Sequence, residues 1–221
     1  MTTDVTAEPA PTPQRFWLTP RYVPNRIRDL VYQRAHPADP WLTPAAIKML
    51  ATLLRPTDRG AEFGSGRSTL WFAGRVAELT SVETNAGWHQ KVTSQLKERG
   101  IGNVRYTLIA EDNPSECGDG EYARTALAFP DASLDFALVD GYYRDYSAKY
   151  IMPKLKPGGI LIIDNINWHL PSQSKAPGTR PAELGPATSA WAEVWREIEG
   201  WRRIWTSNGV WDTAIFFKPA G

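Results

Sequence analysis

From Gly60 to Asp164 the chain repeats one pattern, a short apolar run followed by an amphipathic stretch, and this pattern constrains the fold more than any other feature. The runs are Gly60 to Phe63, Leu79 to Glu83, Val104 to Ile109, Leu134 to Asp140 and Gly159 to Asp164. Runs of this length and composition read as strands. Strands that alternate with helices pair in parallel through right-handed crossovers, because a tight turn cannot bring the chain back in the same direction. The last third departs from the pattern. Trp191, Val194, Trp195 and Ile198 make one helical stripe that stops at Gly200, and WRRIWTS and DTAIFFK then flank the turn-forming pair Asn208-Gly209. Two strands joined by a short loop run antiparallel. The expected fold class is therefore α/β, a doubly wound, mostly parallel sheet with a C-terminal antiparallel hairpin. The tryptophan stripe, and most of the ten tryptophans, are expected in the core.

Upstream, Thr43 and Pro44 form a helix start, and Ile47, Leu50, Leu53 and Leu54 recur at helical spacing until Pro56. A helix is expected from Pro44 to Arg55. Trp88, Val92 and Leu96 are spaced by four before Gly100, which gives a crossover helix with Trp88 on its core face. Residues 1–15 lack apolar periodicity and are expected to be a disordered tail. Residues 16–43 mix Phe16, Trp17, Tyr22 and Tyr32 with basic residues and prolines, and only RIRDLVYQR suits a short helix. This segment is read as an N-terminal arm or cap, and 44–221 as the main domain.

Charge narrows the partner. Twenty-five Lys+Arg against 24 Asp+Glu leave +1, so no net field draws the protein to nucleic acid or to an anionic membrane. A small-molecule partner is expected. No apolar run approaches the ~20 residues of a membrane span, and the first residues lack the basic start and apolar stretch of a signal peptide, which predicts a cytoplasmic protein. Cys117 stands alone in SECGDGE and reads as a surface thiol.

The segment AEFGSGRSTLWFA puts Glu62, Gly64, Ser65 and Gly66 at the end of the first strand and starts a helix near Ser68. Glycines there let the backbone turn tightly against a ligand, and the free N–H groups of the following helix favour an anionic or polar group. Glu83 lies 21 positions beyond Glu62 and closes the second strand, where a carboxylate can accept from both ribose hydroxyls. A dinucleotide site wants a third glycine, and position 69 is Thr69. Glu62 suits a cationic amino group and would repel a pyrophosphate.

The ordered set E-F-G-S-G-R-S-T, L-T-S-V-E, S-L-D-F-A-L-V-D-G and L-K-P-G-G-I-L-I-I-D-N, with the terminal hairpin, resembles class I S-adenosylmethionine-dependent methyltransferases, in particular small bacterial O-methyltransferases. The resemblance covers about Trp41 to Pro219. It implies a Rossmann-like sheet of seven strands with only the last antiparallel, and S-adenosylmethionine across the ends of the first, second and fourth strands. It implies a cofactor site of Glu62, Gly64, Ser65, Gly66, Ser68, Thr69, Glu83 and Asp140, with Glu111 or Asp112 near adenine. The expected activity is methyl transfer to an oxygen of a phenol, sugar hydroxyl or natural-product intermediate. A NAD-dependent oxidoreductase and a nucleoside-binding module without catalysis are the competing readings.

Two routes to activating the acceptor stand open. Asp140, Asp164 and Asn165 come to one sheet edge, where three oxygen donors can hold a hard cation such as magnesium (Mg). They resemble the metal site of catechol-type O-methyltransferases, except that Tyr143 and Arg144 stand where those enzymes carry a lysine. Alternatively His169, just beyond the fifth strand, serves with Asp140 as the catalytic pair and takes the proton. An arginine paired with Asp140 would favour the metal-free route. Residues 170–186 hold four prolines without apolar period; with the arm they are expected to cover the substrate, or to form a homodimer contact.

Overall fold

The computed structural model describes residues 20–111 and 114–220. The tail, Phe16 and Trp17 of the arm, and Asp112 lie outside the described residues. Seven strands form one sheet: β1 (Arg59–Phe63), β2 (Glu78–Glu83), β3 (Val104–Leu108), β4 (Leu134–Val139), β5 (Leu155–Asp164), β6 (Arg202–Ser207) and β7 (Asp212–Phe217), in the order β3-β2-β1-β4-β5-β7-β6. β1 to β5 pair in parallel, and β7 inserts antiparallel between β5 and β6. β6 therefore runs with the parallel strands, and β7 alone is reversed. The doubly wound expectation and the terminal hairpin are both met.

The helices are α1 (Tyr22–Ala35), α2 (Pro44–Leu53), α3 (Arg67–Ala73), α4 (Ala86–Glu98), α5 (Glu121–Arg124), α6 (Arg144–Ile151) and α7 (Ser189–Ile198). Two apolar cores lie on the two faces of the sheet. One gathers Leu50, Phe72, Leu79, Phe136, Leu138 and Ile162 under α2 and α3. The other gathers Phe63, Val139, Leu161, Trp191, Val194 and Ile198 under α6 and α7. β4 alternates between them, Phe136 and Leu138 to one side, Ala137 and Val139 to the other, as a central strand buried on both faces must.

Trp191, Val194 and Ile198 of the α7 stripe are buried and Trp195 is half-buried, but the general expectation for tryptophan fails. Of the nine described tryptophans only Trp71, Trp191 and Trp201 are buried. Trp88 does not join Val92 and Leu96 in the core; it turns toward the end of β1, its indole N–H donating to the Ser65 carbonyl at 2.7 Å. Cys117 is half-buried rather than exposed. Burial, with Asp145 nearby, pushes its thiol up to about 12, so it carries no thiolate near neutral pH.

The arm holds a 14-residue helix, longer than its periodicity suggested. It is fastened to the β6–β7 turn by a polar cluster. Asp29, 6% exposed, accepts from Arg26 at 2.7 Å, Gln33 at 2.9 Å and Asn208 at 3.1 Å. α2 is tied to the same hairpin, since Thr43 N–H donates to Thr213 Oγ1 at 3.0 Å and its hydroxyl meets that of Thr206. Removing Asp29 orphans three donors, so Asp29→Ala should lower urea-measured stability by about 1–3 kcal/mol and expose the α1 arginines to trypsin. Unchanged stability and cleavage would show that the cluster does not hold the arm.

Candidate functional site

The strand order reverses between β1 and β4, and at such a point the loops leaving the strand ends splay apart and open a crevice. A cavity of about 530 Å³ lies there, lined by Gly64, Ser65, Glu83, Thr84, Tyr122, Asp140, Gly141, Tyr142, Asp164 and Asn165, and by Arg26, Gln33, Trp41, Trp88, Trp168 and Trp211. Of the expected residues, Gly64, Ser65, Glu83, Asp140, Asp164 and Asn165 reach it. Glu62, Gly66, Ser68 and Thr69 lie one layer beneath, and His169 is elsewhere.

The first strand ends in a turn that demands glycine. Gly64 has φ +95°, and a Cβ there would lie 2.6 Å from Gly141 N and 2.7 Å from its Cα, so the loops after β1 and β4 touch backbone to backbone. Below the turn Glu62 is fully buried. One oxygen accepts from Thr69 at 2.6 Å and Ser81 at 2.7 Å, while Oε1 has no partner. Thr69 Oγ1 also accepts from Gly66 N–H at 3.0 Å, which fixes the start of α3. Burial raises the Glu62 carboxyl to about 7 against the hydroxyls that favour its charge. The position where a dinucleotide fingerprint wants a third glycine is thus committed to holding an acid.

Glu83 is held by four donors. One oxygen takes Thr84 N–H and Asn85 N–H, each at 2.9 Å; the other takes Ser65 N–H at 3.1 Å and Ser65 Oγ at 2.6 Å. Its lone-pair positions are filled, so a diol that binds there displaces the Ser65 hydroxyl. Thr84 Oγ1, buried beside it, lacks a partner. Orphaned oxygens under and beside the cavity, with a carboxylate at the end of β2, fit the polar groups of an adenosyl amino acid. Glu111 accepts from the Tyr143 hydroxyl and does not line the cavity.

At the other end a guanidinium stands among the expected metal ligands. Arg144, 7% exposed, donates through Nε to Gly141 O at 2.7 Å and through Nη1 to Asp164 O and Asn165 Oδ1, both at 2.8 Å. Its Nη2 lies 3.3 Å from Asp140 O and 3.5 Å from Asp140 Oδ1. Asp164 accepts from the Thr213 hydroxyl, and burial, with Asp140 nearby, lifts its carboxyl well above the usual range. The three oxygens face a permanent cation, and a second cation there would be repelled. The residues do not fit magnesium, and among the described residues no group of three or more His, Cys, Asp or Glu could hold a metal. Asp140 keeps 23% of its side-chain exposure, and burial raises its carboxyl to about 6 against the pull of Arg144.

His169 is not at the cavity. It is 5% exposed and stacks on Trp191 of α7 with ring centroids 4.9 Å apart. Burial, with Arg144 and Arg180 nearby, lowers its imidazole to about 3. Proximity in sequence to β5 did not reveal that the turn over Ile166–Trp168 carries it into the α7 core. Residues 170–186 form a loop as expected but contribute nothing to the cavity lining; the arm does, through Arg26, Gln33 and Trp41. Arg26, Gln33, Tyr122 and Trp211 carried no sequence signal, because long-range packing alone brings them to the site.

The pH consequence of His169 can be signed. The unfolded chain takes up a proton near the free-imidazole value of 6.5, and the native state refuses it until about 3. The stabilisation is therefore present above 6.5 and is lost as pH falls from there toward 3. His169→Phe should flatten the melting temperature against pH across that window and leave turnover within about twofold, against the ~10²–10⁴-fold loss expected of a general base.

Comparison with known proteins agrees with this geometry. Residues 61–166 match the family model of a methyltransferase domain. The chain is similar in structure to a caffeoyl-CoA O-methyltransferase-like protein from Staphylococcus aureus, at 16% identity, TM-score 0.55, covering 90% of this chain and 92% of that one. It is similar to a methyltransferase-like protein of Streptococcus mutans in complex with SAH, at 13% identity, TM-score 0.54, covering 77% and 94%. A methyltransferase from Geobacter sulfurreducens matches at 13% identity, TM-score 0.54, covering 91% and 92%. No relative was found among curated proteins.

Proposed function

We propose that the chain, whose residues 61–166 match the family model of a methyltransferase domain, is a class I S-adenosylmethionine-dependent enzyme that methylates an oxygen of a small-molecule acceptor without a divalent metal. The observation that carries the reading is Asp140, a carboxylate open to the cavity, raised to about 6 and braced by Arg144. The bound cofactor supplies an electrophilic methyl group on a sulfonium sulfur. Glu83 takes the ribose hydroxyls in place of Ser65 Oγ. The Gly64–Gly66 turn admits close backbone approach, while Ser68 and Thr69 steady Glu62 beneath the amino-acid end.

Displacement at a methyl carbon requires the nucleophile in line with the leaving sulfur, so positioning supplies much of the rate. A hydroxyl nucleophile must also lose its proton. Asp140 accepts it: a carboxylate raised to about 6 is ionised at pH 7 yet more basic than an ordinary aspartate. Arg144 keeps that carboxylate oriented. Tyr142, Trp168 and Trp211 offer faces against which a planar acceptor stacks, and the net charge of +1 adds no pull toward a polyanion. No described helix is long and apolar enough to cross a membrane.

Calorimetry with S-adenosylhomocysteine and, separately, NAD tests the cofactor. Binding of the nucleoside alone is expected; binding of NAD alone would overturn the reading. Glu83→Ala should weaken the nucleoside by about 1.5–3 kcal/mol, roughly 10- to 100-fold, and an affinity within twofold of the parent would remove the ribose assignment.

Once an acceptor is in hand, the rate should rise with pH through about 6 and level off above 7, because Asp140 acts only when deprotonated. Asp140→Asn should cost ~10²–10⁴-fold and abolish that rise. EDTA should leave the parent activity unchanged. Loss of activity on chelation, or a pH profile retained in the variant, would refute the Asp140 route.

A further inference from the structure

The hydroxyl of Tyr122 is a buried polar group that the fold pays for without using. Tyr122 sits on α5, 1% exposed, with its ring edge-on to Phe63 at a centroid distance of 5.7 Å. Its Oη has no hydrogen-bond partner among the described residues, yet the side chain lines the cavity. The hydroxyl lies directly beneath Gly141, where a Cβ would overlap it and would also come within 2.9 Å of Gly64 N. It thus sits where the loops after β1 and β4 cross, with Gly141 leaving room above it.

Burying a hydroxyl without a partner costs stability, and native structures seldom tolerate it unless water or a ligand completes the bond. A phenylalanine would fill the same space against Phe63 without that cost. The neighbouring orphan, Thr84 Oγ1, has a simpler account, since a β-branched residue suits the end of a strand whatever its hydroxyl does. Tyr122 has none inside the protein. Burial keeps its phenol from ionising, so it presents a neutral O–H at any working pH.

We propose that Tyr122 is a cofactor-binding residue, its hydroxyl completing a hydrogen bond with a polar atom of bound S-adenosylmethionine at the β1–β4 crossing. The position favours the cofactor over the acceptor. The hydroxyl adjoins Gly141 and, across it, Gly64, the turn read as the cofactor's, whereas Trp168 of the same lining is 41% exposed. The inference rests on the methyltransferase reading.

Tyr122→Phe tests it through two readouts that a purely structural role would not move in opposite directions. Without ligand, the variant should melt about 2–4 °C higher than the parent, because an unsatisfied buried hydroxyl is gone. By calorimetry with S-adenosylhomocysteine it should bind about 3- to 10-fold more weakly. Unchanged affinity overturns the assignment while leaving the methyltransferase reading intact. A lower melting temperature without ligand means that the hydroxyl has a partner within the protein, and also overturns it. A parent protein that binds no S-adenosylhomocysteine overturns both.

Discussion

The hold of Arg144 on two strand ends is the interaction from which the site's geometry follows. One buried guanidinium reaches the backbone of Asp140, Gly141 and Asp164 and the side chain of Asn165. β4 and β5 are paired through Val139 and Ile163, but beyond those residues no ladder fixes their loops. Arg144 does so with donors in a planar fork, a geometry that Lys cannot reproduce. The left-handed backbone of Asn165, φ +52°, belongs to the same arrangement: it turns the amide oxygen toward Nη1. With the β4 loop so placed, Gly141 meets Gly64, and the cavity acquires its floor.

The electrostatics follow from that placement. Asp140 lies near both Glu62 and Asp164, and burial raises all three carboxyls. They are not equivalent. Asp164 is buried and accepts from Thr213, whereas Asp140 keeps 23% of its side-chain exposure and pairs with Arg144. A divalent cation would draw all these oxygens toward itself. The guanidinium instead bonds the backbone oxygens of Asp140, Gly141 and Asp164 and the Asn165 amide oxygen, and reaches a carboxylate only at Asp140, 3.5 Å away.

What could be read from the sequence is what periodicity and short motifs encode. Five parallel strands, the Gly64 turn, Glu83 at the end of β2 and the terminal hairpin are local statements, each decided within about a dozen residues. The aromatic residues were misread because spacing reports which helix face a side chain occupies but not whether that face is covered. Trp88 shares a stripe with Val92 and Leu96, yet α4 begins at the sheet edge, so its first turn overhangs the cavity. His169 failed for a related reason: three residues of tight turn after β5 rotate the chain from the ligand edge to the α7 face. Tyr143 and Arg144 stand in for the lysine pattern in the sequence, but only packing shows that the arginine bonds the strand ends of Asp140, Gly141 and Asp164.

The N-terminal arm extends this argument from the floor to the mouth. α1 contributes Arg26 and Gln33 to the cavity, and the same two side chains bind Asp29, which is anchored to Asn208 at the turn between β6 and β7. Arg26 also lies over the Trp211 ring, 5.4 Å from its centroid. Helix, hairpin turn and Trp211 of the cavity lining are therefore tied together. β7 pairs with β5 from Ile160 to Asp164, and the last of these residues is held by both Arg144 and Thr213. A continuous chain of pairing and hydrogen bonds thus runs from Asp140 through Arg144, Asp164 and β7 to α1, so the arm's side chains at the cavity are tied to the carboxylate at the end of β4.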